Sequence, residues 1–531
     1  MNKILYIYIF LFLQPVTAQF FNAQKDKIDI KKYQFFIKIN DENNRIEAQA
    51  VILFKALQSV KQIDLNLKNI DQKGKGMQVA SVTNQDGKSL YFKHINDSLH
   101  IQTPLVSDTL IHIRYSGIPA DGLYIKTNRF GKRTFFGDNW PNRAQYWLPV
   151  IDHLSDKALV EWIITAPSHY EIVANGRLIS KIRRTDNFTV FRYQTSVPIA
   201  PKIMVFAAAD FNIKNEPPVY LHDKCIPVSN WIFQNNTPKA FDDFKESPSI
   251  LKFYDSLIGA YSYNKMANVQ SNTRFGGMEN AGNIFYDEYK VNGKHQIENL
   301  VAHETAHQWF GNSVSEKNWR DIWLSEGFAT YLTDLYIEHK YGVEKFKERM
   351  AMERQKIINY QQKNPNPVVY NEKNDLFRLL NINSYEKGAW VLHQLRYLIG
   401  DKDFFKLLKT YYQKYRQKNA GTEDFIHLAE EISGKNLHNF FQQYLYRNDI
   451  PAMQIHSQVS NNKLQITVQQ ITGKPFQIKL PVVINYRKKS KKLILTISKR
   501  QEKFVFDMPG IDNNYLVQID PNIQVLFQLL K

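Results

Sequence analysis

The chain has a single cysteine, Cys225, so no disulfide can form within it and its stability must come from a large hydrophobic core. Cysteine is commonly buried, so Cys225 is expected in the interior and inert. Beyond the N-terminus no segment carries the roughly 18 consecutive apolar residues of a membrane helix, which excludes spanning helices. Glycine and proline are scarce, 22 and 20 among 531 residues, and 43% of side chains are apolar, so collagen-like and disordered chains are excluded too.

The N-terminus reads as an address. Lys3 provides a positive start, Ile4 to Leu13 a short apolar run, and Val16, Thr17 and Ala18 small residues before Gln19. Residues 1–18 are therefore expected to be a signal peptide, with the mature protein periplasmic or extracellular. No cysteine follows the apolar run, which argues against a lipid anchor. Without residues 1–18 the chain keeps 68 basic and 51 acidic side chains, a net +17. Such a charge could serve nucleic acid. The densest basic run, Arg487 to Lys492, lies between the alternating segments Ile478 to Tyr486 and Leu493 to Ile497, where a solvated hairpin tip belongs. No nucleic-acid partner is expected.

Residues 30 to about 215 alternate with period two, as in Tyr33, Phe35, Ile37 and Ile39, and read as strands. Asn175-Gly176 between two such segments predicts a two-residue hairpin. From about residue 237 the period becomes helical. Thr237-Pro238 and Ser247-Pro248 read as N-caps, and Gly259, Gly311, Gly400 and Gly434 as helix stops. Short strands return after Pro451. The expected domains are 19–215 (β), 216–450 (α-rich) and 451–531 (β).

The chemistry is concentrated in the middle region. Ile297 to Phe310 has helical spacing and contains His303, Glu304 and His307; residues four apart share a helix face, so both imidazoles can bind one ion beside Glu304. Glu326, on a second helical stretch with 18 residues between it and His307, can supply a third ligand. Two histidines and one carboxylate leave a coordination position open, which is the catalytic arrangement of zinc; structural sites are usually closed by four ligands.

These residues carry a resemblance to the M1-type zinc aminopeptidases, the gluzincin family of aminopeptidase N and the leukotriene hydrolases. His303-Glu304-Thr305-Ala306-His307 and Trp323-Leu324-Ser325-Glu326-Gly327 are similar to the family's zinc signature, with Ser325 where many members have Asn. Gly276-Gly277-Met278-Glu279-Asn280 resembles its GxMEN exopeptidase motif, and Tyr385-Glu386-Lys387-Gly388-Ala389 its catalytic-tyrosine segment.

The resemblance implies a multidomain α+β fold: a β-rich N-terminal saddle domain, a thermolysin-like α-rich catalytic domain and a C-terminal β-sandwich. It implies one Zn2+ held by His303, His307 and Glu326, with Glu304 as general base and Tyr385 as donor to the oxyanion. Gly276, Gly277, Met278, Glu279 and Asn280 would bind substrate, Glu279 pairing with the α-ammonium of a peptide with a free N-terminus. The family's second amine anchor lies in a segment only dimly matched by Asp138 to Pro149, where Asn139 and Gln145 are the candidates. Only about 80 residues follow Pro451, so the large helical domain of many members is missing and a more open cleft is expected. The alternatives are a thermolysin-like endopeptidase and a zinc-retaining surface module without catalysis.

Overall fold

The computed structural model describes residues 27–105, 108–222, 224–372, 375–471 and 473–530. The expected signal peptide lies outside these residues. Among them no helix is long and apolar enough to cross a membrane.

The period-two segments form a seven-stranded sheet in the order Arg177–Arg183, Phe188–Gln194, Leu159–Pro167, Ile28–Lys38, Ile46–Ala56, Thr109–Ile118, Gly76–Asn84. Tyr33, Phe35 and Ile37 all fall on its buried face, as the alternation requires. A four-stranded sheet, Glu171–Ala174, Phe206–Ala209, Arg133–Gly137 and Leu123–Thr127, follows in space. The hairpin expected at Asn175-Gly176 is not formed, because Glu171–Ala174 and Arg177–Arg183 belong to different sheets. Asn175 instead ties the crossing point down: its Nδ2 donates to the carbonyls of Ile203 (2.9 Å) and Ala281 (3.0 Å), and its Oδ1 accepts from the Val205 N–H.

The middle region opens on a five-stranded sheet ordered Phe211–Asn215, Val228–Phe233, Met266–Ser271, Asn283–Asp287, Gly277–Met278. The strand Phe211–Asn215, at the end of the β-patterned stretch, pairs into this sheet. The last strand, Gly277–Met278, is short, antiparallel and at the edge, so the glycine-rich motif borders a free row of backbone groups. Helix Glu298–Ala306 packs beside it; Ser247–Ile258 and Trp323–Tyr341 pack on that helix, and Val343–Gln361 and Gly388–Ile399 on Trp323–Tyr341. Gly259, Gly400 and Gly434 each follow a helix end, whereas Gly311 lies past a helix that already stops at Ala306. The expected caps differ as well: Ser247 is already inside its helix and its hydroxyl accepts from Asn268, and Thr237 makes no side-chain cap.

The C-terminal region is two sheets, one of four strands and one of three, whose alternate residues Leu464, Ile466, Leu480, Val482 and Ile484 are buried in the common core. Of its basic run, expected as a hairpin tip, only Arg487 and Lys488 form the turn of the hairpin Ile478–Tyr486 and Lys489–Ile497; Lys489, Lys491 and Lys492 lie in the second strand, opposite Tyr486, Ile484 and Val483. The sandwich is fastened to the helices by Leu526 N–H to Gln394 Oε1 (2.6 Å) and by Arg354 to Asp520 (2.8 Å).

Cys225 is exposed, contrary to the sequence expectation. It stands opposite Tyr220 in the small hairpin Val219–Leu221 and Lys224–Ile226, whose alternation turns Val219, Leu221 and Ile226 inward and therefore Cys225 outward.

Candidate active site

The helix bearing the two histidines is shorter than its pattern, Glu298–Ala306, but His307 keeps helical φ and both imidazoles stay on one face. The next helix, Trp323–Tyr341, brings Glu326 to them. His303 Nε2 and His307 Nε2 lie 3.1 Å apart, and Glu326 Oε2 lies 3.4 and 3.2 Å from them. For metal–ligand bonds of about 2.0–2.1 Å, tetrahedral geometry puts neighbouring ligand atoms ~3.3 Å apart, and the three observed edges match that spacing. Glu326 Oε2 is buried yet receives no well-directed hydrogen bond, as expected of an oxygen whose partner is a cation. On the far side of its ring, His307 Nδ1 is 3.2 Å from the Phe310 carbonyl and 3.1 Å from Ser325 Oγ. Donation to Phe310 leaves the Nε2 lone pair free for a metal. Ser325, at the position where many family members have Asn, thus contacts the ligand directly. The donor set, its spacing and the contacts that hold the His307 ring from behind all fit one Zn2+.

The electrostatics agree. Burial pushes the Glu304 carboxyl well above its usual range; His307 opposes this, and Glu279 and Glu326 add to it. Burial disfavours the His307 imidazolium, but Glu326 outweighs it and raises the ring to about 10. Three buried carboxylates converge here, and nearby Lys202 is already paired with buried Glu316 at 2.6 Å. A dication would compensate this charge.

Glu304 is held against the edge strand by the absence of a side chain. A Cβ on Gly277 would overlap its Oε1 and lie 2.6 Å from its Cδ. Glu279 follows two residues later, 6% exposed, with Oε1 unpartnered. Its backbone carbonyl accepts from Gln308 Nε2 (2.8 Å) and Asn312 Nδ2 (2.6 Å), so the turns that follow the zinc-motif helix position it. Burial pushes the Glu279 carboxyl up, opposed by His307 and Lys202.

Tyr385 arrives on a π-helical turn, Asn383–Lys387, that leads into Gly388–Ile399. Its ring stacks on His303, centroids 5.9 Å apart and planes at 11°. The turn can come this close because a Cβ on Gly327, beside Glu326, would stand 2.9 Å from the Gly388 Cα; two glycines let the helices touch. Burial, reinforced by Glu326, Glu279 and Glu304, pushes the phenol well above its ordinary value, so it is a proton donor.

One small cavity, about 40 Å³, gathers Gly277, Met278, Glu279, His303, Glu304, His307, Glu326 and Tyr385. Gly276 and Asn280, expected beside them, are not in its wall. Gly276 backs onto Lys290, and the Asn280 side chain is buried elsewhere without a hydrogen bond. Neither candidate for the second amine anchor is there. Asn139 Nδ2 donates to the Pro201 and Met204 carbonyls (3.1 and 2.6 Å) while its Oδ1 accepts from Trp147 Nε1 (2.8 Å), and Gln145 Nε2 donates to the Asn142 carbonyl at 2.7 Å. The N-terminal region contributes Trp140 instead, with Phe275 and Leu380 completing an apolar wall. These three were not selected from sequence; Trp140 lies within the dimly matched segment, which was the one available signal.

Residues 30–201 match the Peptidase M1 N-terminal domain, and residues 243–444 the Peptidase family M1 domain. The chain belongs to peptidase family M1. Among curated relatives of this M1 protein, "Probable aminopeptidase 2" of Sulfurisphaera tokodaii is 24% identical over 93% of the chain, and human "Glutamyl aminopeptidase" 28% over 56%. The chain covers 63% and 32% of those two proteins. The M1 zinc metallopeptidase of Deinococcus radiodurans has the same fold, with TM-score 0.69, 20% identity, and coverage of 80% of this chain and 95% of that one. A variant of that enzyme bound to a Tyr-Ser-Ala substrate superposes with TM-score 0.70, at 20% identity and coverage of 80% and 95%.

Proposed function

We propose that the protein is an exported zinc aminopeptidase that removes the N-terminal residue of peptides. The observation that carries this reading is Glu279. A buried carboxylate with an unpartnered oxygen shares one cavity with the ligand triad and Glu304. An unpaired buried carboxylate is costly, and an α-ammonium supplies the missing cation.

Bound to His303, His307 and Glu326, zinc would polarise the scissile carbonyl and acidify a water to a pKa of about 7. Glu304 takes the water's proton and passes it to the leaving amine. Tyr385 donates to the oxygen that becomes negative, a contribution typically worth about 10² to 10³ in rate. Glu279 holds the ammonium and so measures one residue from the end. Trp140, Phe275, Met278 and Leu380 exclude water from this chemistry.

The test is hydrolysis of aminoacyl chromogenic amides. Activity should vanish with a chelator and return with zinc, and N-acetylated peptides should stay intact. In Glu279→Ala the preference for free over acetylated N-termini should fall toward unity; an unchanged preference would reject the amine anchor, and ready cleavage of blocked peptides by the wild type would indicate an endopeptidase. Export is supported by the pattern of residues 1–18. N-terminal sequencing of the protein recovered outside the cytoplasm should begin at Gln19.

A further inference from the structure

The small metal cavity adjoins a much larger space. A cleft of about 800 Å³ is lined by residues from 360 to 386, and Leu380 and Tyr385 belong to the walls of both. Glu279 lines only the small cavity. With the terminal residue at Glu279 and the scissile carbonyl at Tyr385, the residues that follow the cut bond run past Tyr385 into the cleft. Its volume is that of a site for a drug-sized ligand, which a few peptide residues would fill.

The charges of that cleft are unevenly satisfied. Glu386 faces Lys356 at 3.4 Å, and Glu372 accepts from the Asp375 N–H at 3.4 Å. Arg378 is the one cation among the described lining residues, is exposed, and has no carboxylate within ion-pair distance among the described residues. Its backbone, in contrast, is fixed: the Arg378 carbonyl accepts from Asn381 Nδ2 (2.6 Å) and Tyr370 Oη (3.3 Å). A held main chain with an exposed guanidinium in the wall of a peptide-sized cleft suits a planar anion, because the guanidinium fork matches a carboxylate with two parallel hydrogen bonds.

We propose that Arg378 docks the C-terminal α-carboxylate of short peptides, so that the protein works as a trimming enzyme for peptides of a few residues with both ends free. This rests on the aminopeptidase reading and adds the second end of the substrate. Glu279 and Arg378 then act as two charged stops, one reading the ammonium and the other the carboxylate.

The test compares alanine release from Ala-Ala-Ala with release from its C-terminal amide. For the wild type, kcat/KM is expected to favour the free acid about tenfold, through KM, the size of one charge-assisted contact. In Arg378→Met the ratio should fall to about one, and Arg378→Lys should restore part of it. Because each ratio is taken within one protein preparation, partial misfolding cancels. A wild-type ratio near one, or a ratio that survives Arg378→Met, overturns the proposal. A preference for Ala-Asp-Ala amide over the Ala-Ala-Ala acid overturns it in favour of a side-chain carboxylate. A wild type that releases no alanine from either peptide or from a chromogenic alanyl amide overturns the aminopeptidase reading itself, and is recognised by that third substrate.

Discussion

Gly277 and Glu304 occupy one another's space: the Cβ that Gly277 lacks would overlap the carboxyl oxygen Oε1 and stand 2.6 Å from Cδ. The edge strand and the zinc-motif helix are therefore in contact only because one of them has no side chain. Gly277→Ala must displace either the strand or the carboxylate. A loss of roughly 10² or more in kcat is expected, the low end of a lost general base, with zinc content unchanged. Gly276→Ala is the control, since its Cβ would meet only the flexible Lys290 Cε at 2.9 Å. It should cost less than about tenfold. Equal losses in the two variants would dismiss the contact.

Metal binding and proton transfer should separate by mutation. His303→Ala and Glu326→Ala each remove a side of the ligand triangle and should lower zinc stoichiometry measured by elemental analysis. Glu304→Gln should keep the metal and lose about 10² to 10⁴ in rate. Full activity in Glu304→Gln would show that the reaction uses another base.

Lys157 joins the N-terminal region to the loop behind the site. Its Nζ donates to the carbonyls of Asn312 (3.0 Å), Ser313 (2.9 Å) and Lys418 (2.9 Å), and Asn312 in turn holds the Glu279 carbonyl. Lys157→Met removes these three hydrogen bonds. The Asn312 and Lys418 carbonyls keep those from the Ser315 hydroxyl (2.9 Å) and the Ser315 N–H (3.1 Å), while the Ser313 carbonyl loses its donor. The change should cost about 1–3 kcal/mol, read as a lower denaturant midpoint. KM for free-amine substrates should rise more than kcat falls. An unshifted midpoint would show that water replaces the ammonium at no loss.

The surface triad of His169, Asp210 and Asp41 predicts a pH-dependent contribution to stability. Burial disfavours the imidazolium, but hydrogen bonds to Asp210 (2.9 Å) and Asp41 (3.0 Å) outweigh it and hold the pKa above the ordinary 6.5. A raised pKa means stabilisation that is complete below 6.5 and lost as pH rises through the folded-state value. His169→Asn should therefore lower Tm more at about pH 5.5 than at about pH 9. A larger deficit at the alkaline end would contradict the assignment.

Local patterns carried far. Alternation from Tyr33 to Ile37 announced the buried face of a sheet, and the basic run the hairpin that turns at Arg487-Lys488, because each depends on neighbours in the chain. His303, Glu304 and His307 were legible for the same reason: a helix places them on one face whatever surrounds it. Asn175-Gly176 misled because its turn signal is local while the choice of sheet for each flanking strand is not. Cys225 misled because composition ranks residue types, whereas a two-stranded hairpin decides which alternate side chain faces out.

The motifs, by their spacing and their resemblance to a known family, pointed to the ligand set, since two imidazoles and a carboxylate at those intervals need only two helices side by side. Which residues shut the cavity was decided by tertiary packing. Trp140 reaches it from about 160 residues before His303, Gly277 and Gly327 matter through what stands opposite them, and Arg378 is distinguished by having no carboxylate partner among the described residues. Such properties belong to surfaces that meet after the chain has folded, and no stretch of sequence contains both sides of them.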